Sequence, residues 1–178
     1  KRCPFITTIV QNINERQTNV ILGEKERVLY GPGFILDKLC GLSFRISSQS
    51  FYQVNAVQTE TLYEKALELA GLDSTQSVLD AYCGTGTIGL VAARRGAARV
   101  IGVDSVRSAI RDAKEIARHN GIEIAQFVAA DATEFLMDLA EREEHIDVVL
   151  MDPPRAGSTE EFLDAVAQLS PERVVYIS

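Results

Sequence analysis

The segment at residues 78–90 places the strongest constraint on the fold of this chain. An apolar run ends at Asp80, and a turn that contains Gly84, Gly86 and Gly89 follows before a helical pattern begins. Glycine lets a backbone approach a ligand closely because it carries no side chain. The helix after the turn directs its free N–H groups and the positive end of its dipole toward the same place. The segment therefore predicts a binding site for a nucleotide-type cofactor.

The spacing of these glycines fits two cofactors. Asp104 lies 20 residues after Gly84, where a dinucleotide-binding fold has the acid that binds ribose. Asp80, however, stands ahead of the glycines at the end of the strand, in a position to meet a cationic amine. Asp152 opens an Asp-Pro-Pro-Arg motif after the apolar run at residues 146–151, and an NAD domain has no need for that motif. These two acids favour S-adenosylmethionine, and an NAD-dependent oxidoreductase remains the alternative.

Strand and helix patterns alternate from residue 77 onward. The predicted strands are Ser77–Asp80, Arg99–Val103, Gln126–Ala129, Ile146–Met151 and Arg173–Ile177. The predicted helices between them are Ile88–Arg95, Val106–Asn120, Thr133–Glu143 and Glu160–Gln168, and an earlier helix stops at Gly71. This alternation predicts an α/β fold with a doubly wound, mostly parallel sheet and helices on both faces. A doubly wound methyltransferase sheet normally has two further strands, so we expect a fragment truncated after strand five, with a complete five-strand domain as the alternative.

The first 50 residues follow another pattern. Short segments rich in β-branched residues alternate with turn residues, which predicts a small antiparallel sheet. The segments are Phe5–Val10, Asn19–Leu22, Val28–Tyr30 and Leu42–Ile46, with turns at residues 12–15 and 31–33. We therefore expect a β-rich subdomain at residues 1–50 and a cofactor-binding domain at residues 51–178.

Charge differs between these two parts. Residues 1–50 hold seven lysines and arginines against four acids, and residues 51–178 hold 11 against 21. The acidic part is a poor nucleic-acid binder by bulk charge, so RNA affinity requires a local patch or parts outside this chain. No apolar run approaches a membrane span, and no signal peptide is visible. Cys3, Cys40 and Cys83 lack zinc or disulfide spacing, which favours a cytoplasmic setting and predicts no metal site.

Three motifs in the chain together resemble one family. They are Phe51-Tyr52-Gln53-Val54-Asn55, Asp80-Ala81-Tyr82-Cys83-Gly84-Thr85-Gly86 and Asp152-Pro153-Pro154-Arg155. In this order they resemble the RNA uracil-5-methyltransferases, which make 5-methyluridine in transfer or ribosomal RNA. Residues 12–23 also resemble the central domain of the ribosomal-RNA members. The resemblance implies a class I, Rossmann-like methyltransferase fold, S-adenosylmethionine as cofactor, and RNA as partner, with ribosomal RNA ahead of transfer RNA.

The resemblance also implies which side chains line the cofactor pocket. The matching positions are Gln53, Tyr82, Thr87, Asp104, Asp131 and Asp152. The fold supports Asp104, because an acid at the end of the second strand of the alternating region can accept both ribose hydroxyls. Asp131 has two interpretations, a contact to the adenine amino group and an N-cap of the next helix. Arg155 also has two, a contact to phosphate or the target base and a surface salt bridge. The role of Gln53 rests on the resemblance alone.

Catalysis in the family depends on a cysteine that adds to carbon 6 of uracil and on a carboxylate base that later removes the carbon-5 proton. That cysteine follows the fifth strand, so the resemblance implies that nucleophile and base lie beyond Ser178 and that no catalytic residue is in the chain. Cys83 matches a family position that is not the nucleophile. We therefore expect these 178 residues alone to be inactive.

Two further interpretations differ from this one. A methyltransferase that acts on an amino group also has two prolines after the fourth strand, but usually an aromatic where this chain has Arg155. A non-enzymatic module that binds RNA or protein has no use for acids at the strand ends, and Asp80, Asp104 and Asp152 are present.

Overall fold

The computed structural model describes residues 3–15, 21–23 and 25–177. Its strands are β1 (Ile9–Ile13), β2 (Lys25–Tyr30), β3 (Phe34–Leu39), β4 (Leu42–Ser47), β5 (Ser77–Ala81), β6 (Arg99–Asp104), β7 (Ala125–Ala129), β8 (Val148–Met151) and β9 (Arg173–Tyr176). Its helices are α1 (Ala56–Ala70), α2 (Thr87–Arg94), α3 (Arg107–His119), α4 (Ala132–Glu141) and α5 (Glu160–Leu169). Strands β5 to β9 form one five-stranded parallel sheet, which confirms the predicted α/β class.

The strand order in this sheet is β7-β6-β5-β8-β9. The chain runs outward from β5 through β6 to β7 and then crosses to β8 on the other side of β5. The order therefore reverses between β5 and β8, and open α/β sheets bind ligands beyond the carboxyl ends of the strands at such a point. The strand order thus predicts a ligand site at the ends of β5 and β8.

Two apolar layers cover the two faces of the sheet. On one face, buried side chains of α1, α2 and α3 form a single cluster, with Leu90 and Ile116 among its members. Phe44 of β4 is fully buried in the same cluster, so the β3–β4 hairpin packs on this face. On the other face, α4 and α5 contribute Leu136 and Phe162. Helices on both sides explain why the inner strands are continuously apolar in sequence.

Local signals fix the helix ends. The Asn55 side chain accepts the backbone N–H of Gln58 at the start of α1, and Gly71 ends that helix in the left-handed conformation. From residue 77 onward every predicted strand and helix is present, with ends that differ by at most two residues. The division into parts at residues 1–50 and 51–178 stays a prediction.

The strands predicted at Val28–Tyr30 and Leu42–Ile46 lie within β2 and β4, but the first N-terminal strand differs from the prediction. The first strand is Ile9–Ile13 rather than Phe5–Val10, so it contains residues that the sequence assigns to a turn. Asn12 explains the difference, because its side-chain amide bonds the backbone of Gly23 in both directions, at 2.9 and 2.8 Å. An asparagine that indicates a turn by composition here lies in β1 and bonds to the segment that precedes β2.

The predicted single antiparallel sheet is two separate hairpins, β1–β2 and β3–β4. Strand β3 is absent from the prediction because it follows a glycine-proline breaker at residues 31–33 and turns back through Cys40 and Gly41. Both turn residues have positive φ, at 50° and 75°, which a tight two-residue hairpin needs, but a cysteine rarely marks such a turn. Of the strand predicted at Asn19–Leu22, residues 19–20 lie outside the described residues, and Ile21 and Leu22 are not in a strand.

Candidate cofactor site

The carboxyl edge of the parallel sheet collects most of the predicted site residues. Ala81 and Met151 are register partners at the ends of β5 and β8, so the residues that follow them leave adjacent strands at the same level. Asp104 ends β6, and Asp131 lies two residues after β7. The residues brought to this edge are Tyr82, Asp104, Asp131 and Asp152.

The three glycines of the turn lie in different surroundings, so glycine is needed at each position for a different reason. A Cβ at Gly86 would lie 2.5 Å from the Phe127 ring, and a Cβ at Gly89 would lie 2.7 Å from Oδ2 of Asp80. A Cβ at Gly84 would have nothing within 4 Å. Packing therefore requires glycine at two positions, whereas Gly84 borders open space beside the start of α2. That space suits the close backbone approach of a cofactor.

Asp80 is a buried carboxylate, with a side chain that is 1% exposed. Its Oδ2 accepts the backbone N–H of Gly89 at 2.9 Å, and its Oδ1 has no partner among the described residues. Burial raises the pKa of Asp80 to about 8 despite that hydrogen bond, and the nearby charges of Asp152 and Asp104 raise it further. An unpartnered buried carboxylate oxygen is costly, and a bound cationic group would favour the charged form. Asp80 thus fits the amine of S-adenosylmethionine.

Asp104 holds the glycine turn in place. Its Oδ2 accepts the N–H of Gly84 at 2.9 Å, and its Oδ1 accepts the N–H of Val106 at 2.8 Å. Each carboxylate oxygen has a further lone pair, and the residue is partly exposed. Asp104 can therefore accept ribose hydroxyls while it keeps its backbone contacts.

Asp131 is the N-cap of α4. Its Oδ1 accepts the backbone N–H groups of Thr133 and Glu134, at 2.9 and 3.2 Å. The capping interpretation of this residue is therefore correct. Its Oδ2 forms no hydrogen bond among the described residues, so the role toward adenine stays a prediction alongside the cap.

Thr87 begins α2 and is bonded to a tyrosine that the sequence does not single out. The hydroxyls of Tyr63 and Thr87 lie 2.9 Å apart, and Tyr63 is 3% exposed on α1. Burial raises the pKa of Tyr63 to about 12, and the Asp80 and Asp152 carboxylates act in the same direction. In the sequence Tyr63 lies on the apolar face of a helix and is indistinguishable from a core residue. Only the tertiary contact reveals its place beside the site.

Tyr82 has a left-handed backbone, with φ at 61°. This conformation costs of order 1–3 kcal/mol for a residue with a side chain and tends to occur at functional sites. Its ring centroid lies 5.0 Å from that of Phe162, which is fully buried in α5. The contact with α5 thus holds a partly exposed tyrosine at the edge of the site, where its ring can pack on a cofactor.

Gln53 and Asp152 complete the predicted set. Gln53 is partly exposed in the loop ahead of α1, and its side chain has no hydrogen bond among the described residues. Its role stays a prediction. Asp152 follows β8 and is partly buried, and this burial raises the pKa of its carboxyl group.

Cys83 has the properties of a packing residue. Its side chain is 5% exposed, and its Sγ lies 3.0 Å from the place that a Cβ at Gly102 would take. Burial raises the pKa of the Cys83 thiol, and Asp80 and Asp104 raise it further. A thiol that resists ionisation is a poor nucleophile, because the thiolate is the reactive form.

A family model described as a methyltransferase domain matches residues 72–174, more than half of the chain. The chain belongs to this methyltransferase domain family. The match spans β5 to β8 and the helices between them, the part that carries the acids of the carboxyl edge. Together with a similar crystal structure that holds S-adenosyl-L-homocysteine, this match confirms S-adenosylmethionine as the predicted cofactor and disfavours the NAD alternative.

Relatives of this methyltransferase domain are longer proteins. It is 45% identical to an uncharacterized RNA methyltransferase of Oceanobacillus iheyensis and 46% identical to one of Staphylococcus aureus, each over 98% of this chain and 38% of the relative. The crystal structure of Pyrococcus abyssi tRNA (uracil-54, C5)-methyltransferase with S-adenosyl-L-homocysteine is similar at a TM-score of 0.79 and 30% identity, over 96% of this chain and 40% of that one. The chain thus spans about two fifths of their length. None of its described helices has the length and apolar character to cross a membrane.

Proposed function

We propose that this chain is the cofactor-binding part of an RNA methyltransferase that transfers a methyl group from S-adenosylmethionine to carbon 5 of a uridine. The observation that carries the proposal is the similarity over 96% of the chain to a structure whose name specifies uracil-54 and carbon 5. The curated relatives named RNA methyltransferases support the RNA partner. A cytoplasmic setting belongs to the same proposal.

The RNA partner has two candidates. The resemblance of residues 12–23 to the central domain of ribosomal-RNA enzymes favours ribosomal RNA. The similar Pyrococcus abyssi structure is that of a transfer-RNA enzyme. We propose ribosomal RNA as the partner, with transfer RNA as the competing substrate in the assay that tests it.

In this proposal the chain binds and orients the cofactor, which supplies an electrophilic methyl group when bound. Asp104 accepts the ribose hydroxyls, the free oxygen of Asp131 accepts the adenine amino group, and Oδ1 of Asp80 neutralises the cationic amine. The remaining contacts come from Gln53, Tyr82, Thr87 and Asp152. Fixed donors and acceptors of this kind lower the barrier by holding the reacting groups in one geometry.

Carbon 5 of uracil needs activation before it can take a methyl group. A thiolate would add to carbon 6, and the electron pair of the carbon 5–carbon 6 double bond would move toward an enolate. Carbon 5 would then form a bond to the methyl carbon while the bond from that carbon to the sulfonium sulfur breaks, so that S-adenosylhomocysteine leaves with the bonding electrons. A base next removes the carbon-5 proton, and the thiolate leaves as the double bond returns. Cys83 is unsuited to this role because it is buried and its pKa is raised. We therefore propose that the nucleophile and the base lie outside these 178 residues.

Methyl transfer from labelled S-adenosylmethionine tests the proposal. The 178-residue chain and the longer protein that contains it are each incubated with ribosomal-RNA and transfer-RNA transcripts, and the nucleosides are separated. We expect 5-methyluridine from the longer protein with ribosomal RNA and no product from the chain alone. An N-methylated nucleoside would establish an amino-group target instead. Turnover by the chain that disappears in Cys83→Ser would contradict the assignment of the nucleophile.

A further inference from the structure

One face of α3 carries a row of four cations. Arg107, Arg111, Lys114 and Arg118 are spaced by four, three and four residues, which places them on one side of the helix. All four are exposed. At a rise of 1.5 Å per residue, this basic stripe is about 16 Å long.

The basic stripe borders a concave surface of about 620 Å³, which Ala129 at the end of β7 also lines. Among the described residues that line this surface the acid is Glu115. Its carboxylate is already paired with Arg45 of β4 at 2.5 Å. The concave surface is therefore positive, although the chain as a whole has a net charge of −7.

Six of the eleven other cations among the described residues have acidic partners. The pairs are Lys25–Glu15, Arg45–Glu115, Lys65–Glu68, Arg95–Glu64, Arg99–Glu144 and Arg142–Asp138. No stripe cation forms an ion pair with an acid of residues 3–15, 21–23 or 25–177. Like charges three and four residues apart destabilise a helix, so the isolated stripe is unfavourable by itself. A bound polyanion would remove this repulsion.

The basic stripe starts at the candidate cofactor site. Arg107 lies three residues after Asp104, at the carboxyl edge of the sheet, and Arg118 lies at the opposite end of α3. A polyanion that follows the stripe would therefore pass from the side of the domain to the edge where the site residues are.

We propose that the basic stripe binds backbone phosphates of the RNA substrate and so positions the strand at the site. The proposal rests on the proposed function, because that function supplies RNA as the polyanion. A straight row of regularly spaced cations matches a polymer with regularly spaced charges, and arginine forms paired hydrogen bonds with phosphate. Contacts of this kind fix the register of a nucleic acid without reading its sequence. The basic stripe thus offers RNA a local positive surface on a chain whose net charge is −7.

Salt-dependent RNA binding by the 178-residue chain tests this proposal. The probe is a fluorescent, uridine-rich single-stranded RNA, and anisotropy gives Kd over a series of KCl concentrations. The stripe variant is Arg111→Gln/Lys114→Gln. The matched control, Lys65→Gln/Arg142→Gln, removes the same charge from paired cations away from α3, one in α1 and one at the C-cap of α4. We expect the slope of log Kd against log salt to fall by about 1.4 in the stripe variant, roughly 0.7 for each phosphate that is no longer neutralised. We expect no change of slope in the control.

Other outcomes would overturn the proposal. An equal decrease of the salt slope in both variants would mean that RNA binding depends on bulk charge. An unchanged slope in both variants, or no RNA binding by the unmodified chain, would also contradict the proposal. Tighter binding of a poly-glutamate peptide than of RNA would assign the stripe to a protein partner. Unchanged S-adenosylhomocysteine binding by both variants verifies that they are folded.

A second measurement separates this proposal from the proposed function. The longer protein that carries the stripe substitutions is assayed for KM toward RNA and for its methylated product. A raised KM with a product other than 5-methyluridine would support RNA binding by the stripe and contradict the assignment of uracil as the target. Formation of 5-methyluridine at an unchanged KM would contradict RNA binding by the stripe and support the proposed function.

Discussion

Asp80 and Gly89 are joined by a hydrogen bond of 2.9 Å from the glycine N–H to Oδ2, while Oδ1 of the same carboxylate has no partner among the described residues. The bond satisfies one of the free N–H groups at the start of α2, where the helix dipole also favours negative charge. Burial opposes this and raises the pKa of Asp80 to about 8. The ionisation of one side chain thereby affects both stability and ligand binding.

The stability of the chain should depend on pH through Asp80. Its folded-state pKa is above the ordinary value of about 3.9, so between about pH 4 and about pH 8 the folded state holds a proton that the unfolded state has released. The contribution of Asp80 to the free energy of unfolding therefore falls as pH rises through that window and is constant above it. Urea denaturation of the wild-type chain and Asp80→Asn from about pH 5 to about pH 9 measures this. The wild-type advantage in free energy of unfolding should decrease with pH, and a constant difference would contradict the prediction.

Asp104→Ala should weaken binding of S-adenosylhomocysteine by about 1–3 kcal/mol, because the ribose loses charge-assisted hydrogen bonds. Calorimetry measures the affinity. The control is Asp138→Ala, which removes an acid from α4 that is paired with Arg142. The N–H groups of Gly84 and Val106 also lose their acceptor in Asp104→Ala, so the free energy of unfolding should fall as well. An unchanged affinity would mean that Asp104 does not contact the cofactor.

Gly84→Ala and Gly86→Ala form a matched pair, because both residues have a positive φ and both variants strain the backbone, at about 1 kcal/mol. Gly86→Ala also forces a methyl group against the Phe127 ring, so it should lower the free energy of unfolding by roughly 1–3 kcal/mol more. Gly84→Ala should instead remain folded and lose cofactor affinity. Thermal unfolding and calorimetry on both variants measure these effects. Equal stabilities would contradict the assigned difference between the two glycines.

The hydroxyl pair of Tyr63 and Thr87 should be energetically coupled. A double-mutant cycle with Tyr63→Phe and Thr87→Val isolates the interaction. We expect a coupling of about 0.5–1.5 kcal/mol in the free energy of unfolding, the usual net value of such a hydrogen bond. Additive effects of the two substitutions would mean that the hydrogen bond between the two hydroxyls does not contribute to the free energy of unfolding.

The sequence predicts the parallel sheet well because strands that are buried on both faces consist of continuous apolar residues. It also predicts the acids that end them, since strand ends in this fold meet at one edge. It does not predict that Tyr63 reaches Thr87, because a buried tyrosine in a helix has the same pattern whether or not it borders a site. The β3–β4 hairpin escapes prediction for a local reason, since its turn is formed by Cys40 and Gly41.

Phe127 occupies the space that side chains at Gly86 and Gly102 would fill, since a Cβ at either would lie 2.5 Å from its ring. Three positions far apart in sequence therefore share one volume. A library that randomises one of these positions at a time should yield few folded clones. A library that replaces Phe127 with a smaller residue and, in the same clone, replaces one of the two glycines with alanine can recover the packing. Substitutions at the three positions should accordingly covary among descendants of this sequence. The conformation of the glycine turn therefore depends on which residue occupies position 127.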